Sequence, residues 1–203
     1  MEKKYQLNIN MLDTDSATEV IEIVADLAEA NGINWALCGG VAMQVYGSPR
    51  LTKDIDFVAS QHLHLEVARR LSFGGHRYAI KTSKKVVDVD WIKRFDDWKD
   101  LYQAALQDST KINNVPIITP EWIVLFKWFA NRYKDQEDAI YLLRQKGLVN
   151  RRLLKENYVK VRGRSEWTAI FSGLSRWFDL ADRFVRDGDE NESYRTEEQY
   201  LDS

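Results

Sequence analysis

The 203-residue chain has one cysteine, Cys38, and almost no net charge, with 29 Lys and Arg against 31 Asp and Glu. A single thiol excludes an internal disulfide and suits a reducing compartment. The formal net charge of -2 gives no global electrostatic signal for nucleic acid or a membrane surface. No apolar run approaches the roughly 18 residues that a membrane span needs. The N-terminus "MEKKYQLNINMLDTD" has no apolar core segment, so no signal peptide is expected and a cytoplasmic, soluble protein is. There is no internal repeat and no low-complexity block. What is present is 44% hydrophobic and 30% charged, enough chain to bury a core as one domain or as a small domain with a helical annex. The seven tryptophans read mostly as core or interface.

Hydrophobic spacing divides the chain. Residues 1–14 read as a loose arm. Ser16 and Glu19 form a capping-box pattern ahead of apolar residues at helical spacing, from Val20 to Ala28, and Gly32 closes that helix. "INWALC", 33–38, reads as a buried strand, followed by a short helix from Gly40 to about Tyr46. "DIDFVAS" reads as a strand and "HLHLEVARRL" as a second helix. "HRYAIK" and "KVVDVDWI" read as strands joined by the turn Thr82-Ser83-Lys84. A helix in "DDWKDLYQAALQDS" and a hairpin with its tip at Asn113-Asn114 complete this half. At Thr119-Pro120 the pattern turns helical, with threonine as cap and proline in the first turn. Helices are expected over roughly 120–133, 135–146, 149–160 and 165–185. The expected organisation is an α/β core over 1–118, a helical region over 119–185 and an acidic, disordered tail over 186–203.

The segment that carries chemistry is "LCGGVAMQVYGSPRLTKDIDFVAS", 37–60. Residues two apart in a strand share a face. Asp54 and Asp56 therefore project together, while Ile55 and Phe57 face the core. Two adjacent carboxylates repel, and one is raised in pKa unless a cation lies between them. Hard oxygen ligands of this kind suit Mg²⁺ together with substrate phosphates. A two-metal arrangement serves in-line phosphoryl displacement. "KKVVDVDWI" offers a third acid, with Asp88 and Asp90 on one face of their strand. Gly39-Gly40, between a strand and a helix, lets backbone approach a phosphate closely at a helix N-terminus.

Gly39-Gly40, then Arg50-x-Thr52-x-Asp54-x-Asp56, then a later strand aspartate, resembles the nucleotidyltransferase superfamily of DNA polymerase β-like fold. The likeness spans roughly residues 20–145 and is nearest to the minimal bacterial branch, which holds AbiEii-like toxins of type IV toxin–antitoxin pairs and small antibiotic nucleotidyltransferases. It implies an α+β fold, with a mixed sheet flanked by helices and a C-terminal helical region completing the active site. It implies metal binding by Asp54 and Asp56, with Asp88 as third acid and Asp90 as the alternative. It implies nucleotide binding by Gly39, Gly40, Arg50 and Thr52. "LFKWFANRYKDQEDAIYLL", 125–143, resembles the helical motif of the toxin branch, and there Lys127 is assigned to the triphosphate. Lys127, Asn131, Lys134 and Asp138 are expected on one helical face, with Arg132 and Lys134 assisting and Asp138 orienting the lysine. The resemblance implies Mg²⁺, one or two ions, with Mn²⁺ as substitute. It implies an NTP such as ATP as donor, tRNA, a protein hydroxyl or a small molecule as acceptor, and an antitoxin as partner. An aminoglycoside or lincosamide nucleotidyltransferase is the alternative within the enzymes. A catalytically silent nucleotide-binding partner protein is the alternative outside them.

The remaining motifs read as structure. His62-x-His64 has metal-like spacing but reads as surface, and Cys38 as a small buried hydrophobe. Trp122, Phe126, Trp128 and Phe129 read as helix-packing core. Lys127 to Arg164 holds eleven basic and four acidic residues, which could steer RNA phosphates but reads slightly better as solvated helix faces. No RNA-module signature is present.

Overall fold

Asp13 starts the first helix. In the computed structural model, which describes residues 11–183 and 195–202, its side chain accepts from the Ser16 backbone N–H at 2.9 Å. The cap is therefore three residues earlier than the Ser16-Glu19 box implies. Glu19 turns outward instead and accepts from the Ser83 backbone N–H and hydroxyl at 2.8–2.9 Å. Helix α1, Thr14–Ala30, buries Val20, Val24 and Ala28, and Gly32 ends it as expected.

The chain continues as β1 (Trp35–Cys38), α2 (Gly39–Val45), β2 (Asp54–Ala59), β3 (Arg69–Arg70), β4 (His76–Lys81) and β5 (Val86–Ile92). Then come α3 (Lys99–Gln107), β6 (Thr110–Ile112) and β7 (Val115–Ile117). The helical part is α4 (Pro120–Ala130), α5 (Tyr133–Arg144), α6 (Arg151–Arg162) and α7 (Arg164–Arg183), with α8 (Glu197–Leu201) near the end. The strands form one mixed sheet in the order β3-β4-β5-β2-β1-β7-β6. The pairs β2–β5 and β1–β7 are parallel and the others antiparallel. Ile55, Phe57, Val87, Val89 and Trp91 are buried at 0–2% exposure, so alternation drives one strand face into the core. The fold is the expected α+β arrangement, a mixed sheet flanked by helices.

Most elements stand where periodicity puts them. The turn after β4 closes through Thr82 and Lys85. Asn113 and Asn114 both have positive φ, the geometry of a two-residue hairpin tip. "HLHLEVARRL" is not a helix. Arg69 and Arg70 pair with Arg77 and His76 as a short edge strand, and the Ala68 N–H donates to the Arg77 carbonyl at 2.9 Å. Only Leu63 and Leu71 of that segment are buried, too few to form the apolar stripe that anchors a helix. His62 stacks on His76 with ring centroids 4.1 Å apart, and His64 is exposed, so the two side chains diverge.

The predicted tail divides. Residues 186–194 lie outside the described ones. Residues 197–201 form α8, which Thr196 and Gln199 cap reciprocally. Its apolar residues Tyr200 and Leu201 are buried, so two large side chains hold down a segment whose composition is otherwise acidic. The acids also account for the basic helices. Arg151 binds Asp182, Lys155 binds Glu197, and Arg152 binds Glu198 and Asp202. Three of the eleven basic residues between Lys127 and Arg164 are thereby paired within the chain.

Candidate active site

The site lies on the polar face of the central strands. Parallel pairing of β2 with β5 sets Asp54 opposite Asp88 and Asp56 opposite Asp90. Antiparallel pairing of β5 with β4 sets Asp90 opposite Arg77, and β3 sets Arg69 beyond that. Cys38, Asp56, Asp90, Arg77 and Arg69 thus form one row across five strands. Residues directly opposite on one face lie within side-chain reach of each other.

At the β1–α2 junction the glycines make room for the acids. Gly39 has φ +62°, and a Cβ built there would lie 1.9 Å from Asp56 Oδ2. A Cβ on Gly40 would lie 2.7 Å from Thr52 Oγ1. The Gly-Gly pair is therefore required by the packing of the β2 carboxylate and its neighbour, in addition to any role toward a ligand. The Gly40 backbone N–H favours the charged form of the Asp56 carboxylate. Thr52 Oγ1 donates to Asp54 Oδ1 at 3.0 Å. Burial, then repulsion from Asp54 and Asp90, pushes the Asp56 carboxyl up to about 6. The cluster is short of positive charge where Asp56 sits.

Of the two acids left open as third carboxylate, Asp90 lines the cleft beside Asp54 and Asp56. The Asp88 side chain is 51% exposed, against 14% for Asp90. Arg77 binds Asp90 through Nε and Nη2 at 2.6 and 2.7 Å. It also reaches Asp88 at 3.2 Å and Asp54 at 3.4 Å. Among the described residues no three metal-ligating side chains converge on one point. The donor set still fits a hard divalent cation. Asp54 and Asp56 share a face, the raised pKa of Asp56 marks unmet negative charge, and Mg²⁺ takes one or two carboxylates and completes its shell with phosphate and water.

The opposite wall comes from α4 and α5. Asn131 adopts the left-handed conformation, φ 48°, and ends α4 at Ala130, before the expected boundary near residue 133, so Lys127, Asn131, Lys134 and Asp138 do not lie along one helical face as expected. The break folds α5 back so that Asp135 and Asp138 face Lys127. Lys127 Nζ donates to Asp135 at 2.9 Å and to Asp138 at 2.7 Å. Asp138 also binds Arg50, which ties the loop before β2 to the helical part. Burial alone would push the Asp135 carboxyl up, but hydrogen bonds from Arg132 and Lys127 hold it below its usual value. Lys127 is thus a buried, doubly paired cation lining the cleft.

Between these walls is a cleft of about 580 Å³, within the usual size for a small ligand. Phe126 and Phe129 line it with Trp98 and Tyr102, while Trp122 is fully buried. Tyr102 stacks on Phe126 with centroids 4.0 Å apart. The aromatic set of α4 therefore serves both core and cleft. Arg69, Arg132 and Lys134 are exposed at its rim.

Sequence reasoning passed over Arg77. Counting back from the Thr82 turn, which pairs Lys81 with Val86, places Arg77 opposite Asp90, so the signal was in the hairpin register. Arg94, stacked over Phe73 and Tyr102, had no such signal, because only tertiary packing brings those rings together.

Residues 23–88 match the model of the family described as nucleotidyl transferase AbiEii toxin, type IV TA system. No curated protein matches significantly. Among solved structures, an antigenic nucleotidyltransferase-like protein from Paracoccidioides brasiliensis is similar at 19% identity and a TM-score of 0.47, over 78% of this chain and 93% of that one. The family match covers about a third of the chain, and within it lie the β1–α2 glycine turn, the Asp54-x-Asp56 strand and the start of β5.

Proposed function

We propose that the protein moves an NMP from an NTP to an acceptor hydroxyl, with Mg²⁺, releasing pyrophosphate and the proton of that hydroxyl, as a toxin-like enzyme of a type IV toxin–antitoxin pair. The observation that carries this reading is the paired Asp54 and Asp56 at the floor of a cleft, with Asp56 folded over Gly39 and raised in pKa by its neighbours. Asp54 and Asp56 hold the metal, which neutralises and polarises the phosphates when bound. Gly39 and Gly40 let the nucleotide approach the strand floor, with Thr52 fixing Asp54. Lys127 and Arg50, joined through Asp138, present positive charge to the triphosphate from the opposite wall. Lys134 and Arg132 add to it at the rim. Asp90 takes the place of third acid in preference to Asp88, because it faces the cleft. Each Asp90 oxygen bonded to Arg77 keeps a lone pair with which to orient the acceptor hydroxyl. Phe126, Phe129, Trp98 and Tyr102 offer a wall for the base. The residues act by positioning and charge neutralisation, as phosphoryl transfer requires.

The exposed cations Arg69, Arg132 and Lys134 at the rim favour an anionic acceptor such as tRNA over a cationic aminoglycoside. An antitoxin partner is inferred from the family match alone. The ion pairs that Arg77 makes with Asp54, Asp88 and Asp90 give the silent nucleotide-binding reading its own support. The test is thermal unfolding with Mg²⁺ and each NTP, on the wild type and on the double variant Asp54→Ala/Asp56→Ala. A nucleotide at ~100 times its dissociation constant adds ~2.7 kcal/mol, enough to raise Tm by several degrees in a chain of this size. That shift should need metal and vanish in the double variant. Persistence in the double variant would overturn the site. Binding with no transfer to any RNA, protein or small-molecule acceptor would favour the silent reading.

A further inference from the structure

Arg77 is the nearest cation to three of the four acids on the site face. It bonds Asp90 through two nitrogens and reaches Asp88 and Asp54 with the others. Asp90 is its direct cross-strand neighbour, so this contact follows from sheet register and not from a chance rotamer of a surface side chain. A fork-shaped guanidinium satisfied on several carboxylates is strongly held. β4 lies between β3 and β5, which fixes the backbone on both sides. On the far side of Arg77 in the row stands Arg69. A swing away from Asp90 would therefore bring two guanidinium groups together. Electrostatics and register both keep Arg77 on the acids.

Resting on the proposed function, we infer that Arg77 replaces a second divalent cation, so that this active site takes one metal ion per chain. Asp54, Asp56, Asp88 and Asp90 stand in register on two strands, and one guanidinium already compensates the Asp90 end of the group. The unmet charge is at the Asp56 end, where the next charges in the row are acids. One divalent ion at Asp54 and Asp56, together with Arg77, brings the four carboxylates from −4 to −1. A second would have to displace Arg77 from Asp90. Arg77 is thereby a positioning residue, which fixes Asp90 and places one positive charge where a second ion would bind.

The count of bound ions tests this directly. Mn²⁺ is titrated into the wild type with each α,β-methylene NTP in turn and followed by electron paramagnetic resonance and calorimetry. One ion per chain is expected, with no spin coupling between ions. Arg77→Gln should take two, and the short spacing of a paired site, roughly 3.5–4 Å, should broaden the signal. Arg77→Lys, which keeps the charge, should stay at one. Two coupled ions in the wild type would overturn the inference whatever the variants do, and so would one ion in a folded Arg77→Gln. If Asp54→Asn/Asp56→Asn leaves the wild-type count unchanged, the metal reading itself falls and this inference with it. A wild-type count of two that is lost in that variant would leave the reading standing and remove only the role of Arg77.

Discussion

Asp56 occupies the space that a side chain on Gly39 would fill. A Cβ at residue 39 would lie 1.9 Å from Asp56 Oδ2 and 2.5 Å from its Cγ, and the backbone there has φ +62°. The glycine turn and the Asp-x-Asp strand are thus one structural unit, although sixteen residues separate them. Gly39→Ala should lose both local geometry and function. The strained backbone costs of order 1–3 kcal/mol, and the clash adds to it by pushing Asp56 off its position. Circular dichroism melts and Mg²⁺-dependent nucleotide binding check this. A variant with unchanged Tm and unchanged binding would show that the carboxylate can move aside freely.

Asp56→Asn should abolish transfer and yet stabilise the metal-free protein. Burial and the charges of Asp54 and Asp90 hold the folded-state pKa at about 6, above the ordinary 3.8. Between those values the folded chain binds a proton that the unfolded chain has released. Stability therefore falls as pH rises through about 4 to 6, and the full cost, on the order of 2–3 kcal/mol at most, is present above 6. The asparagine variant removes it. Its Tm should exceed the wild type's at pH 7–8 and approach it at pH 4. A difference that does not change with pH would refute the charge origin. The same titration should make divalent-cation affinity fall as pH drops below about 6.

Lys127 is paired with two buried carboxylates, and its removal leaves Asp135 and Asp138 without their shared cation. Lys127→Met should cost roughly 3–5 kcal/mol, the range for breaking one side of a buried ion pair. Adding Asp135→Asn should recover part of that loss, and a double-mutant cycle in urea measures the coupling. Additive losses would place the lysine's energy elsewhere.

The C-terminal helix should contribute stability despite its acidic composition. Tyr200 and Leu201 are buried, the Tyr200 carbonyl accepts from Arg151, and the Tyr200 hydroxyl donates to Asp179. Deleting residues 195–203 should cost about 2–4 kcal/mol, from roughly 1.5–3 kcal/mol per large side chain less the entropy regained by the freed segment. Calorimetry should show a lower Tm. No change would mean that α8 docks too weakly to matter.

The sequence determined the strands, the glycine turn and the acids, because these are local. Alternation of apolar and acidic residues in "DIDFVAS" and "KVVDVDWI" fixes which side chains share a face, and tertiary context does not alter a period of two. The hairpin at Asn113-Asn114 and the proline-led start of α4 are likewise set by residues in contact along the chain. Tertiary structure decided what depends on partners distant in sequence. Parallel register set both Asp88 and Asp90 beside the β2 acids, and the packing around the cleft took in Asp90 while leaving the Asp88 side chain half exposed. The edge strand at Arg69–Arg70 prevailed over a helical pattern because β4 offered it hydrogen bonds. The break at Asn131 put Asp135 and Asp138 around Lys127, which a continuous helix would have kept apart. Two buried side chains and a set of ion pairs held α8 against the helices where composition alone pointed to disorder. Local pattern specifies which groups a strand or helix presents. Which of those groups meet is set by register and packing between segments, whose energies a single stretch of sequence does not contain.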